Sequence, residues 1–178
     1  MIQINSTEIP TLRENDHVSG TPTTTLVLMK YGDYQCSQSR QAHRTIEKLQ
    51  QHLGDCFCFV FRHFPQPKTH PQSFKAAELS EAAGAQGKFW EMHSMLFNNQ
   101  DRLEDGNLIE YAANLELDVS LVLQELSEHI HRDRISEDID SGVKHGVRQT
   151  PTFFISIRHE GGQNLEVLIM RILETVIS

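Results

Sequence analysis

Lys30-Tyr31-Gly32-Asp33-Tyr34-Gln35-Cys36-Ser37-Gln38-Ser39-Arg40 is the stretch that decides how this chain folds. It leaves an apolar run, Leu26-Val27-Leu28-Met29, of the kind found in a strand covered on both faces. It then opens a helical pattern: Ala42, Ile46, Leu49 and Leu53 recur at helical spacing, and Gly54 follows as a stop. A strand that turns through a cysteine into a helix is the setting of a dithiol C-x-x-C motif. Here the motif reads C-x-x-S, from Cys36 to Ser39. A thiol without an intramolecular partner must exchange with another molecule, or it does no redox chemistry.

Working outward, Cys56 to Arg62 reads as a second strand, so strand, helix and strand form a βαβ unit with parallel strands and a right-handed crossover. The middle of the chain is helical. One helix starts at His70-Pro71 and runs to Gly84 or Gly87, and a second carries Phe89, Trp90, Met92 and Leu96. A third carries Leu108, Ile109, Ala112, Ala113 and Leu115, and a fourth carries Val119, Val122, Leu123, Leu126 and Ile130. Ile135, Ile139 and Val143 mark a further one ending at Gly146. β character returns from Pro151 to Ile157, Gly161-Gly162 makes a turn, and Leu165, Leu168, Ile169, Ile172, Leu173 and Val176 stripe a last helix. The polar arm over residues 1–22 is expected to add a short edge strand. The pattern predicts one α/β domain over residues 1–178. It is a thioredoxin-like fold over about 16–66 and 146–178, with an inserted all-helical subdomain over about 70–145.

The bulk properties narrow the function classes. The chain has 178 residues, enough to bury a full core. Its formal charge of −8 argues against nucleic acid or anionic lipid as a main partner. The start, Met1-Ile2-Gln3-Ile4-Asn5-Ser6-Thr7-Glu8, has neither the basic nor the apolar segment of a secretory signal, and no 18-residue apolar run predicts a membrane span. The expected location is cytoplasmic. Three cysteines do not make a disulfide scaffold. Cys56 and Cys58, two apart on one strand, are expected to be inert buried thiols, and Cys56 should lie at the end of the sheet away from Cys36, too far to resolve a mixed disulfide.

Several segments together carry a family resemblance: Asp16-His17-Val18-x-Gly20, Tyr31 to Cys36, and Phe61-Arg62-His63-Phe64-Pro65. To these add Ala76-Ala77-Glu78, Ala82 to His93, and Gly146 to Ile155. On these the chain resembles the DsbA-like thiol:disulfide oxidoreductases of the thioredoxin superfamily, from about Asp16 to its end. The resemblance implies a nucleophilic role for Cys36, a cis Pro151 against the active site, and Thr150 beside the sulfur. It departs at Ser39, where the resolving cysteine belongs, and at Ser37, where proline is frequent.

A thiol at a helix N-terminus faces free N–H groups and the positive end of the dipole, which favour its thiolate. Ser39 is expected to donate a hydrogen bond to that thiolate. Cys36, Ser39, Thr150 and Pro151 are therefore the predicted catalytic set, with Ser37, Gln38, Gln149 and Tyr34 as substrate contacts. Gln149 and Thr150 offer backbone for an extended peptide. Asp33 is expected to hydrogen-bond the turn at the surface. His63 and His70 flank a Pro-rich loop, and His129-x-His131 is read as a solvated helix face. No zinc motif is present, and no metal and no bound cofactor is expected. The expected co-substrate is glutathione, and the expected partners are disulfide-bonded or glutathionylated proteins. Two alternatives stand beside this monothiol oxidoreductase: a non-catalytic peptide-binding or chaperone-like module, and a kappa-type glutathione transferase using Ser39 or Ser37.

Overall fold

A computed structural model describes residues 9–24 and 26–157. Four strands form one sheet in the order β1-β3-β2-β4: β1 His17–Ser19, β2 Leu26–Gly32, β3 Phe57–His63 and β4 Thr152–Ile157. β2 and β3 run parallel with Leu26 opposite Phe57 and Gly32 opposite His63, while β1 and β4 are antiparallel edges. Helix α1 (Ser37–Leu53) makes the crossover between the parallel pair. Every residue of β2 and β3 is buried, as the continuous apolar runs require.

The insertion comprises α2 (Ser73–Ala85), α3 (Phe89–Asn98), α4 (Asp105–Asn114), α5 (Val119–Glu128) and α6 (Arg132–Lys144). One face of the sheet presents Leu26, Leu28, Phe57, Phe59 and Phe61 to Ile46, Leu49 and Leu53 of α1 and to Leu79, Met92 and Leu96 of α2 and α3. The other presents Val27, Met29, Tyr31, Cys58 and Val60 to Phe64 and Val147, with Ile139 of α6 packed against them. Gly142 permits that second contact, because a Cβ there would lie 2.9 Å from the Phe64 ring and 3.1 Å from Tyr31. The fold is thus DsbA-like: a thioredoxin-type sheet interrupted by a helical block.

Two expectations need correction. Cys56 is not a strand residue: Gly54–Cys56 forms a 3-10 turn entered through Gly54 at φ 49°, so Cys56 is exposed and only Cys58 is buried in the strand. Likewise His129 and His131 do not lie within one helical stretch. His129 ends α5 in the left-handed region (φ 53°), and His131 precedes α6. His129 meets Glu78 at 2.9 Å and His131 meets Glu125 at 2.9 Å. The expected Gly161-Gly162 turn, the last helix and the first eight residues lie outside the described residues.

Candidate active site

Cys36 is the residue before the first turn of α1, with extended backbone (φ −80°, ψ 119°) and no side-chain capping bond. The first turn of α1 holds no acidic side chain, and its free N–H groups and positive dipole end lie at the Cys36 end of the helix. The Cys36 thiol donates to the Thr150 carbonyl, with Sγ 3.2 Å from the oxygen. Thr150 and Pro151, joined by a cis peptide bond, are thereby brought against Cys36 from the far end of the sequence. Ser37, Gln38, Arg148 and Gln149 are exposed around this contact, while Cys36 itself is only 7% exposed.

The turn is built from below. Asp33 is buried, not at the surface: its carboxylate accepts from Gln35 N (2.7 Å), Gln66 N (2.9 Å) and pairs with His70 Nδ1 (2.8 Å). It therefore ties the active turn to the Pro-rich loop after β3. Gln100 donates its amide to the carbonyls of both Tyr34 (2.7 Å) and Cys36 (2.8 Å), which pins the turn to the end of α3.

Two predicted roles move. Tyr34 is no substrate contact: at 1% exposure its ring is packed among Phe61, His93 and Phe97, and its hydroxyl pairs with His93 Nδ1 at 2.9 Å. The reason is the tight turn after Gly32, which buries Asp33 and Tyr34 together. Ser39 is fully buried one turn into α1, and its hydroxyl accepts from Asp33 N at 3.5 Å. Among the described residues it makes no hydrogen bond to the sulfur.

Lys30 is the site residue that the sequence reading missed. It lies on the core face of β2, two residues beyond Leu28, and is fully buried. Its ammonium donates to the Ser39 carbonyl at 2.9 Å and sits over the Phe97 ring, 4.3 Å from the centroid. Gly32 makes room for it, since a Cβ there would stand 3.0 Å from Lys30 Cε and 2.6 Å from Phe61. Burial pushes the lysine down to about 7, and the charge of Cys36 opposes that shift. A lysine inside an otherwise apolar strand, on the same face as Leu28 and Leu26, is the available signal. Nothing in the sequence pointed to Gln100, which reaches the turn across 64 residues.

Behind Lys30 stand two buried imidazoles. Burial, then the charge of Lys30, lowers His43 to about 4 and lowers His93 as well. Cys58 is raised by burial, which suits an inert thiol. Both other cysteines lie far from Cys36. Leu26 and Phe57 start the parallel pair that Gly32 and His63 end, so about 20 Å of strand separates the Cys56 end from the active turn.

Among the described residues, one group has metal-ligand geometry: His17, His63 and Glu81, whose ligand atoms lie within 4.8 Å of one another. Here Glu81 Oε1 takes both imidazoles at 2.8 Å. Despite burial, which raises a carboxyl, those two bonds hold Glu81 well below the usual range. The cluster clamps β1 and β3 to α2, at the end of the sheet where His63 stands opposite Gly32 and its ring lies 5.9 Å from that of Tyr34. Among the described residues no helix is long and apolar enough to cross a membrane.

Comparisons with known proteins agree with this geometry. The chain is 40% identical over 159 residues to Na(+)/H(+) antiporter NhaA 1 of Mycobacterium sp. (strain KMS), a match covering 88% of this chain and 26% of that protein. The chain therefore spans about a quarter of the length of the curated relatives it matches. The crystal structure of alpha-DsbA1 from Wolbachia pipientis superposes with a TM-score of 0.72 at 22% identity, covering 93% of this chain and 95% of that one. Oxidised BdbD from Bacillus subtilis gives 0.71 at 20% identity over 90% and 92%. Residues 12–167 match the family described as thioredoxin. By its sequence, and with a DsbA-like arrangement of sheet and insertion, this chain belongs to the thioredoxin family.

Proposed function

We propose that this chain is a monothiol thiol–disulfide oxidoreductase. Cys36 attacks a disulfide-bonded or glutathionylated protein and forms a mixed disulfide. An external thiol, most simply glutathione, then releases the product. The observation that carries the reading is the placement of Cys36: uncapped at a helix N-terminus, held against Thr150, with no second thiol within reach of it. Ser39 cannot expel the partner, so each turnover needs a second molecule. Exposed Gln149, Gln38 and Ser37 border the sulfur and suit contact with an extended substrate backbone. Such chemistry fits a glutathione-rich compartment, the cytoplasm. Burial of the Ser39 hydroxyl weighs against a transferase that uses Ser39, while Ser37 is exposed.

The test is the rate of Cys36 alkylation at neutral pH, with its peptides separated by mass from those of Cys56 and Cys58, alongside reduction of a glutathionylated peptide by glutathione. Cys36 is expected to react faster than the exposed Cys56, and Cys36→Ser abolishes the peptide reaction. A Cys36 no more reactive than Cys56, with an inactive wild type, would leave a peptide-binding module as the better account.

A further inference from the structure

Glu81 is a buried carboxylate whose ion pairs, among the described residues, are with two imidazoles and with no lysine or arginine. One oxygen, Oε1, takes the Nε2 atoms of both His17 and His63 at 2.8 Å. The three residues come from three elements, β1, β3 and α2, and Glu81 stands 64 residues from His17 and 18 from His63. No short motif joins them, so the sequence carries no sign of a metal site there. Yet their ligand atoms all lie within 4.8 Å of one another.

The rings are held by packing. His17 stacks on Phe89 with centroids 3.3 Å apart and planes 4° from parallel. His63 stands edge-on to Phe61 and Phe89, at 5.2 and 6.1 Å, and its backbone N–H donates to Asp138. Both imidazoles therefore aim Nε2 at one carboxylate oxygen without a ligand to order them, which lowers the cost of binding one.

We propose that His17, His63 and Glu81 form a binding site for Zn²⁺, and that the ion staples the edge strand β1 to β3 and α2. Two imidazole nitrogens, one carboxylate oxygen and a fourth position for water are a donor set that zinc takes. Hard cations such as Ca²⁺ and Mg²⁺ need a shell of oxygens, which two nitrogens do not supply. An iron centre on the same three donors keeps further positions open. Side-chain exposures of 1% for His63, 8% for Glu81 and 16% for His17 leave space for one small fourth ligand instead. A tetrahedral ion with bonds of about 2.0–2.2 Å spaces its ligand atoms about 3.3–3.5 Å apart, so Oε1 retreats by about 0.6 Å from each imidazole as the ion enters. The ion takes the place of the hydrogens between nitrogen and oxygen, and each ring then carries its proton on Nδ1. Entry is from the side of His17, the most exposed of the three. The proposal invokes no thiol and stands apart from the monothiol reading.

The experiment uses the full chain, reduced, stripped with a chelator and titrated with Zn²⁺ in competition with a chromophoric chelator. The expected result is one equivalent bound. X-ray absorption should show nitrogen and oxygen at about 2.0–2.2 Å, imidazole scattering beyond them, and no sulfur at about 2.3 Å. His17→Ala and Glu81→Gln should each weaken the site at least about ten-fold, since loss of even an outer-shell partner costs that much. His52→Ala, which removes an exposed imidazole on α1, should bind as wild type does. Zn²⁺ should also raise the thermal midpoint of wild type and leave that of His17→Ala unmoved. No bound zinc, sulfur on the ion, or an affinity unchanged in both folded variants overturns the proposal; the last two outcomes assign the ion to a thiol or to surface histidines. Should neither variant fold, zinc-edge anomalous diffraction from the unsubstituted chain decides alone, by a peak between the three side chains or elsewhere.

Discussion

Lys30 on β2 and Arg62 on β3 lie one step apart in the parallel register, Lys30 opposite Phe61 and Tyr31 opposite Arg62, and both side chains are buried. They point to opposite faces of the sheet, and the two faces treat them differently. Arg62 is fully partnered: Asp16 takes it through both oxygens at 2.8 and 2.7 Å, Tyr31 and Ser141 accept from Nη1, and the Thr11 carbonyl accepts from Nη2. Against the effect of burial, those bonds push the guanidinium above its ordinary value. Around it Asp138 receives Arg13 and Arg134 and caps His63 N, so the network ties the N-terminal arm and β3 to α6. Lys30 has one carbonyl and two aromatic faces, and burial wins. The difference teaches what fixes a buried charge. A cation matched to carboxylates holds its proton, whereas a buried cation without one can lose it within the folded protein.

Four substitutions would break or sharpen that contrast. The largest effect is expected for Asp16→Asn, which leaves Arg62 charged and buried with its anion gone. Stability should fall by about 3–5 kcal/mol in urea denaturation, with Cys36 reactivity unchanged in the protein that remains folded. A fall below 1 kcal/mol would mean that the arm relaxes and hydrates Arg62.

Lys30→Met should act in the opposite sense. Between about pH 7 and 10.5 the unfolded chain binds a proton at Lys30 that the folded chain does not, so wild-type stability rises with pH across that window. The variant should therefore be more stable than wild type by about 2–4 kcal/mol at pH 6, and the gain should fade towards pH 11. A variant destabilised at every pH would show that the lysine stem and its ring contacts outweigh the charge.

His43 offers a smaller version of the same test. It stacks on Phe97, and its folded-state value is pushed down to about 4. As pH falls from about 6.5 towards 4, the unfolded state binds a proton there and the folded state does not, so stability declines. His43→Phe should remove about 1–3 kcal/mol of that acid-side decline, seen as a flatter plot of thermal midpoint against pH. An unchanged slope would assign the acid sensitivity to His93 alone.

The smallest effect belongs to Cys56→Ser. An exposed thiol in the turn before β3 carries neither packing nor exchange, so stability should stay within about 0.5 kcal/mol and peptide reduction should be unaltered. Loss of activity would mean that Cys56 reaches Cys36 in a conformation other than this one.

Much of the fold was legible because its signals are local. The run from Leu26 to Met29, the stripe from Ala42 to Leu53 and the stops at Gly54 and Gly146 each need only a short window, and the strands and helices appear within a few residues of where those signals place them. The errors fall where a few residues of backbone decide burial. Cys56 was assigned to the strand because its neighbours are apolar, but Gly54 turns the chain before the sheet begins. Tyr34 was placed at the surface by its closeness to Cys36, while the geometry of the turn sends its ring into the core. His129 and His131 looked like one helix, yet a left-handed residue separates two.

By itself the sequence determined the order of elements, the thiol at a helix N-terminus, and the loss of its resolving partner at Ser39. All of these follow from residue type and short-range period. Only the tertiary structure decided what holds the turn and the first turn of α1 from within: the Gln100 clamp on the Tyr34 and Cys36 carbonyls, and a lysine buried against the Ser39 carbonyl. Desolvation is the reason. Whether a lysine is an ordinary surface cation or a group poised to lose its proton depends on the atoms packed around it. Those atoms come from α1, α3 and β3, which the chain brings together only by folding.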